Sequence, residues 1–251
     1  MALTGNIVFD GDIIIKKGVT VTLDNATLIT TPCTRITLEK GDLSTNGGKL
    51  IIKNGTAISS CGTWEGIVVE GIANLGKSGT DKAKHGTLEI NSPSGSSTGA
   101  GTQNRLNDAL TAIRSIDGGN LNIDKIDFNY NDKHIVIEEY TITDHDAVIR
   151  NANFGPLQNM RPYTTCTNLL PFYPVSSSAP AMVYIENAGG IEIGTATGAN
   201  TFKPGNHLNR VDGIVIVDGK KFGRTYSVRL RNSEFDGMIA TGLYAKSGEY
   251  L

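Results

Sequence analysis

The residues with the clearest capacity for chemistry lie near the middle of the chain, where Asp144, His145 and Asp146 are followed by Arg150. Successive side chains on a β-strand face opposite ways, so the two carboxylates would share one face and His145 would point to the other. Two carboxylates on an outer face could bind Ca²⁺, an oxygen-seeking cation. They could equally well be read as the polar groups of a solvated turn, and the sequence leaves both interpretations open.

Cysteine is the other residue type with chemical potential, and the chain has three: Cys33, Cys61 and Cys166. Cys33 and Cys61 lie 28 residues apart, about one period of the repeat described below, so they could stack at a distance that allows a disulfide. The alternative is two small buried apolar side chains. Neither cysteine has a CxxC partner or a nearby histidine pair, so no metal site of the zinc type is predicted.

A repeat organises the part of the chain that precedes these carboxylates. Residues 48–71 resemble residues 18–41, with Ile36 matching Ile67 and a Glu-Gly or Glu-x-Gly sequence closing each copy. Short β-branched runs separated by Gly, Asn and Asp are typical of strands and turns. Units of this length cannot bury an apolar face alone and must stack on their neighbours. The pattern predicts an all-β solenoid that forms a single domain over residues 1–251.

Aromatic residues indicate what fills this solenoid. Phe128, Phe154, Phe202 and Phe235 recur at the ends of predicted strands, each in a polar context. Equivalent positions of stacked coils lie about 4.8 Å apart, so these rings should form an interior ladder and neighbouring asparagines should bridge backbone groups. Trp64, between Gly62 and Gly66, is predicted to lie inside or to cap a coil.

Three stretches interrupt the repeat and are predicted to be loop excursions, near residues 72–87, 92–106 and 155–181. The third is rich in proline, which removes the backbone donor that a strand ladder needs. Its aromatic residues Tyr163, Phe172 and Tyr173 are candidate ligand-binding side chains, because loops on rigid scaffolds commonly carry binding function. The alternative is that these rings fold back over the sheet.

Composition narrows the function classes. The net charge of −2 gives no basic field for a nucleic-acid partner. No apolar run is long enough to insert into a bilayer. The first residues carry neither a basic nor an apolar leader region, so either the chain stays in the cytosol or a leader has been removed.

The chain resembles the right-handed, single-stranded parallel β-helix modules with a pectin-lyase-like fold that occur in secreted and cell-surface proteins of Bacteroidetes. The resemblance rests on the segments around Cys61–Trp64–Ile67 and Ala109–Ile113–Gly119, on the repeated strand-end phenylalanines and on residues 237–245. It covers nearly the whole chain. It implies a secreted or cell-surface location, and it makes the chain look like an excised module whose last coil, at Leu251, associates with a cap, a partner or another copy.

The resemblance leaves two functional hypotheses. The first is a non-catalytic scaffold or adhesin-like module that presents its loops to a polysaccharide or protein partner. The second is a lyase or hydrolase acting on acidic glycans, with Asp144, Asp146 and Arg150 as candidate catalytic residues. A lyase would need Ca²⁺ as a cofactor and a base to abstract a proton. The motifs of polygalacturonases are not present as such, which favours the scaffold.

Overall fold

The computed structural model describes residues 1–91, 103–157, 181–196, 198–204, 211–223, 226–237 and 241–248. Within these ranges the chain is all-β, with twenty strands and one turn of 3-10 helix at Asp81–Lys84. The strands are β1 (Ala2–Phe9), β2 (Ile13–Ile15), β3 (Thr20–Thr30), β4 (Arg35–Leu38), β5 (Lys49–Lys53), β6 (Ala57–Ser60), β7 (Gly66–Glu70), β8 (Thr87–Asn91), β9 (Asn104–Asn107), β10 (Thr111–Ile116), β11 (Asn120–Asn129), β12 (Lys133–Ile137), β13 (Val148–Phe154), β14 (Ala181–Glu186), β15 (Ile191–Ile193), β16 (Asn200–Phe202), β17 (Asp212–Gly219), β18 (Val228–Leu230), β19 (Ser233–Phe235) and β20 (Leu243–Gly248).

The strands form two long parallel sheets. The eight-stranded sheet runs in the order β2-β4-β7-β10-β12-β14-β17-β20. The twelve-stranded sheet contains the remaining strands, in two rows that are joined by the long strands β3, β11 and β13. Each coil therefore contributes one strand to the first sheet and two strand segments to the second. The predicted all-β, solenoid-like architecture of stacked parallel strands is confirmed.

The coils stack in register, and apolar side chains at equivalent positions fill the space between the sheets. One such row crosses the whole eight-stranded sheet and consists of Ile13, Ile36, Ile67, Ile113, Ile135, Val183, Ile214 and Leu243. The match between Ile36 and Ile67 that the repeat predicted is one step of this row. The row is buried from Ile36 to Ile214, and burial of each side chain there stabilises one coil against the next. At the two ends Ile13 is partly buried and Leu243 is 46% exposed.

The two rows of the twelve-stranded sheet meet at a bend. Asn25, Lys125 and Asn151 lie at this bend inside β3, β11 and β13, with φ of 49°, 58° and 51°. Asparagine tolerates this left-handed conformation better than most residues. After the bend, the second half of each long strand runs in a different direction and remains paired with the neighbouring strands.

The predicted phenylalanine ladder is confirmed. Phe128, Phe154, Phe202 and Phe235 lie on four successive coils, with ring centroids 5.2, 4.4 and 4.6 Å apart and planes within 14° of parallel. The first three rings are fully buried. Such pairs contribute beyond the area they bury, so the ladder fastens the C-terminal half of the stack.

Buried polar side chains bridge successive coils as predicted. The amide oxygen of Asn200 accepts the backbone N–H of Ala152 at 2.9 Å, and its nitrogen donates to Ile149 O at 3.1 Å. Asn104 accepts the N–H of Thr56 in the same way, at 3.1 Å. Trp64 is fully buried and donates from Nε1 to Asn107 O at 2.8 Å, so its predicted interior position is also confirmed.

Two sequence-based predictions need correction. Cys61 is exposed and free, whereas Cys33 has a disulfide partner other than Cys61. The backbone N–H of Cys33 bonds to Thr63 O, so Cys61 falls short of the position opposite Cys33. The predicted excursion at 92–106 ends earlier than expected, because β9 begins at Asn104. No helix among the described ranges is long and apolar enough to cross a membrane.

Candidate functional site: a groove along the strand starts

A groove of about 840 Å³ runs along the starts of β3, β5, β8, β11 and β13. We call it the strand-start groove. It is lined by Gly18, Thr20, Ser44, Thr45, Asn46, Gly47, Lys49, Gly79, Lys82, Ala83, Thr87, Glu89, Asn120, Leu121, Asn122, Asp146 and Val148.

The floor of the groove is built from two rows of paired residues. Thr20, Lys49, Thr87 and Asn120 are register partners on four successive strands. Glu89, Asn122 and Val148 form the second row, two residues further along. Because neighbouring strands lie about 4.8 Å apart, the first row spans roughly 14 Å along the stacking direction. Asn120 is buried, and its amide nitrogen donates to Lys82 O at 2.8 Å and to Thr87 Oγ1 at 3.1 Å. The hydroxyl, amide and charged groups that the floor offers to a ligand are therefore chiefly those of Thr20, Asn122, Lys49 and Glu89.

A short sequence motif produces this floor. The motif Gly-x-Leu-x-Ile occurs three times, at residues 48–52, 86–90 and 119–123. The leucine and isoleucine point into the core. The intervening residues line the groove in all three copies except at Ile51, which is not part of the lining. Lys49, Thr87 and Asn120 are the first lining residues of the three copies.

The glycine of the motif is required by close backbone approach. A Cβ on Gly48 would lie 2.2 Å from Ile15 O, and one on Gly119 would lie 2.2 Å from Val69 O. Both carbonyls belong to strand ends in the eight-stranded sheet, one coil earlier than the glycine. Since real Cβ atoms do not approach backbone oxygen this closely, any larger residue would push the coils apart.

A tight turn before β5 forms part of the groove wall. Asp42 accepts hydrogen bonds from the backbone N–H of Ser44 and Thr45, at 2.9 and 2.8 Å, and from Lys17 Nζ at 2.5 Å. The bond from Lys17 holds the pKa of Asp42 below its usual range. Gly18 N–H bonds to Asn46 O at 2.7 Å, which ties the turn to the preceding coil.

The rest of the wall is the insertion between β7 and β8, which contains the 3-10 turn. Its anchor is Lys77, whose side chain is buried although the surrounding lysines reach solvent. Lys77 Nζ donates to His145 O at 2.6 Å and lies 5.2 Å from the centroid of the Tyr140 ring. Tyr140 donates from its hydroxyl to Leu75 O at 2.6 Å. The insertion is thus fastened to a turn two coils away.

Two buried histidines complete this anchor. His85 Nδ1 accepts the N–H of Ile72 at 3.2 Å, so its Nε2 carries the proton and donates to Gly76 O. Ser115 Oγ donates to Gly119 O, which leaves His145 Nε2 to donate to Ser115 Oγ at 3.0 Å. We call Lys77, His85, Ser115, Tyr140 and His145 the lysine-histidine corner.

Burial governs the ionisation of the corner. It lowers the pKa of Lys77 to about 7, an effect that the charge of Lys82 reinforces and that of Asp146 opposes. Burial and the Lys77 charge lower the pKa of His85 to about 4. The same two causes hold the pKa of His145 well below its ordinary value. For His85 the neutral form also agrees with its hydrogen bonds, because its Nδ1 accepts the N–H of Ile72.

Four charged side chains line the groove among the described residues, and they form two pairs. Lys49 Nζ lies 2.7 Å from Glu89 Oε1, between two coils of the floor. Lys82 Nζ lies 3.6 Å from Asp146 Oδ2, between the insertion and the start of β13. Both pairs are partly open to solvent, so their charges act on any ligand that enters the groove.

The structure separates the three candidate catalytic residues. Asp146 lines the groove beside Lys82. Asp144 packs against Gly190 of the next coil, and its Oδ1 is buried without a hydrogen-bond partner. Arg150 lies 3.1 Å from Asp124 on the outer face of the twelve-stranded sheet. Residues 144–147 are not a strand, and Asp146 has φ of 58°, so the alternation expected for a strand does not place both carboxylates together.

The remaining predictions concern the candidate ligand-binding aromatic residues and a bound Ca²⁺ ion. Tyr163, Phe172 and Tyr173 lie outside the described residues. The ranges that the structure describes bring together no group of three or more His, Cys, Asp or Glu side chains suited to a metal ion. A Ca²⁺ ion bound near Asp144 and Asp146 would need further oxygen ligands, since Ca²⁺ takes six to eight.

Sequence reasoning missed most of the groove. Lys49, Glu89 and Asn122 were not singled out from the sequence. The repeated Gly-x-Leu-x-Ile motif is the signal that could have identified the floor, because it fixes which residues of successive coils share a row. No comparable signal marks Lys77 as buried.

Comparison of the chain with protein-family models, with curated proteins and with solved structures finds no match. The resemblance to pectin-lyase-like modules therefore remains a prediction, and the groove must be interpreted from its own chemistry.

Proposed function

We propose that this chain is a right-handed parallel β-helix module that acts as a non-catalytic scaffold and binds an extended glycan along the strand-start groove. The observation that carries the proposal is the register of the strand starts, which sets Thr20 beside Lys49 and Glu89 beside Asn122 on neighbouring coils, with these side chains open to solvent. A row of evenly spaced polar groups suits a ligand that is itself linear and repeating. Hydroxyl and amide side chains exchange hydrogen bonds with sugar hydroxyls in either direction.

Two further observations support this assignment. Connections between parallel strands of one sheet are almost always right-handed, which favours the right-handed coil. The disulfide at Cys33 favours a chain that matures in an oxidising compartment, as secreted and cell-surface proteins do. Both are consistent with a module that meets polysaccharide outside the cell.

One observation favours the alternative of a glycan-cleaving enzyme. Asp146 lies in the groove with Lys82 3.6 Å away, so a carboxylate and an amine are available at one point of the wall. A general acid or base must reach the atom it protonates or deprotonates. Asp144 and Arg150 have other neighbours and would not assist at that point.

The test is titration of the chain with soluble linear oligosaccharides of several backbones, followed by calorimetry and by analysis of the ligand for new reducing or unsaturated ends. We expect binding of at least one backbone and an intact ligand. Asn122→Ala should weaken binding several-fold, because Asn122 is an exposed floor residue. Asn91→Ala is the matched control, since Asn91 is an exposed asparagine at the end of β8, outside the groove.

Two outcomes would count against the proposal. If none of the oligosaccharides binds to the folded protein, the proposed glycan-binding function is wrong. Cleavage of a bound ligand that Asp146→Asn abolishes would replace the scaffold with the enzyme.

A further inference from the structure

The charges in the strand-start groove cancel locally. Among the described lining residues Lys49 and Lys82 are basic and Glu89 and Asp146 are acidic, and each lysine has a carboxylate as its partner. The pairs lie at different points of the groove, one on the floor and one on the wall. A ligand that runs along the groove therefore passes both signs of charge at each point.

The two ion pairs should interact less favourably with acidic sugars than with uncharged ones. A uronate carboxylate that approaches either lysine must also approach the partner carboxylate, and like charges repel at these distances. An uncharged hydroxyl has no such conflict, because it donates to Glu89 or Asp146 and accepts from Lys49 or Lys82. An ammonium group has three donors, so each lysine can keep its carboxylate and still donate to a ligand.

Specificity often depends on a repulsive element as much as on an attractive one. Without Glu89 and Asp146, the same groove would present two ammonium groups with no acidic side chain among the described lining residues. Such a surface would attract acidic polysaccharides. The two carboxylates are thus the residues that set the preferred ligand class.

Resting on the proposed function, we propose that the groove selects uncharged, hydroxyl-rich linear glycans over polyuronates, and that Glu89 and Asp146 determine this selection. The class is defined by chemistry and includes neutral backbones and uronates whose carboxyl groups are esterified. It excludes the acidic glycans that the alternative enzyme hypothesis would require as substrates.

The experiment uses ligand pairs that differ only in charge. One pair is oligogalacturonate and its methyl ester, and another is a cello-oligosaccharide and its form oxidised to the uronate at C6. We expect the wild-type chain to bind the uncharged member of a pair at least about tenfold more tightly than the acid. The preference should shrink as salt rises, because salt screens the repulsion.

The decisive variant is the double substitution Glu89→Gln with Asp146→Asn, which keeps the size of both side chains. It should bind the acidic member at least about tenfold more tightly than the wild type does. Asp24→Asn is the matched control: Asp24 pairs with Lys53 at 3.0 Å on the same sheet but lies outside the groove. This variant should leave the preference unchanged.

The outcomes separate the two proposals. If no member of either pair and no other backbone binds, the glycan-binding function fails. If the wild type binds the acid as tightly as the uncharged form, or if the double variant leaves the preference unchanged, glycan binding stands and the selection by Glu89 and Asp146 is wrong.

Discussion

The phenylalanine ladder and the lysine-histidine corner both join successive coils, but they do so in opposite ways. The ladder repeats one residue at one position, so each ring contacts its copy above and below. The corner combines a lysine, a tyrosine, a serine and two histidines, which come from an insertion and from the two coils that follow it. The repeated ring contacts of the ladder join coil after coil along the stack. The contacts of the corner occur once and hold one feature in place, the wall of the groove.

The difference is also one of polarity. The ladder buries apolar rings and needs no polar partners. The corner buries an amine and two imidazoles, each of which must find hydrogen bonds or lose its charge. The ladder should therefore determine how stable the molecule is, and the corner how that stability depends on pH.

The largest expected effect comes from breaking the ladder. Phe154 is fully buried between Phe128 and Phe202, and Phe154→Ala should lower the free energy of unfolding by about 3–5 kcal/mol. Urea denaturation measures the change. Tyr130→Ala is the control, because Tyr130 is 54% exposed, and exposed sites usually shift stability by about 0.5 kcal/mol or less. Similar small losses for both variants would show that the ladder is not a main source of stability.

The corner should instead impose a pH dependence. Burial lowers the pKa of Lys77 from 10.5 to about 7, so between these values the unfolded chain holds more protons than the folded one. The free energy of unfolding should then rise with pH across this window, by up to about 1.4 kcal/mol per pH unit.

Lys77→Met removes this contribution while keeping an unbranched side chain. Unfolding measured from pH 7 to 10 should rise less steeply for the variant than for the wild type. Lys84→Met is the control, since Lys84 reaches solvent in the same insertion, is not among the charges that act on Lys77 and should preserve the slope. Equal slopes for all three proteins would mean that Lys77 is not buried.

A smaller effect is expected from the bridging asparagines that lie beside the ladder. Asn200→Ala removes the acceptor of the buried Ala152 N–H, which should cost about 1–3 kcal/mol because a buried donor is left unpaired. Thermal or urea unfolding reports the loss. The groove variant Asn122→Ala should leave stability nearly unchanged, and a comparable loss there would contradict the distinction between core and surface asparagines.

The smallest effect should come from the charge pair that links the corner to the groove. Lys82 and Asp146 are 3.6 Å apart and partly exposed, and such pairs contribute about 0–1 kcal/mol. Asp146→Asn should therefore alter ligand preference with little change in the unfolding midpoint. A large loss of stability would assign Asp146 a structural role and would remove it as a selectivity residue.

The same contrast explains what the sequence could predict. The strands and the residues of the interior could be predicted from recurring residues such as Phe128, Phe154 and Ile67, because the environment of such a residue is the same on every coil. The predicted stacking of Cys33 on Cys61 was wrong because the coil there is longer than their spacing of 28 residues. Ile36 pairs with Ile67, which is 31 positions later. Lys77 was not identified because its burial depends on Tyr140 and His145, which are more than sixty positions away.

The strand-start groove could be predicted from the sequence only in part. Its floor residues follow a repeated motif, but coil lengths vary too much for the rows to be aligned from a fixed period. Asp146 was recognised as a chemically capable residue, yet its partner Lys82 comes from an insertion whose path the sequence does not specify.

Coil length and coil spacing are independent in this fold. The chain uses 22 residues to pass from Ile113 to Ile135 and 48 to pass from Ile135 to Val183, yet each passage adds one strand to the same ladder. Distance along the axis is therefore counted in coils and not in residues. A segment inserted at a turn can lengthen, shorten or change its chemistry without altering the interval between the contacts on either side of it. If the groove binds a linear ligand as proposed, changes in the turns would alter its ligand preference, while the spacing of the contacts along the axis would stay constant.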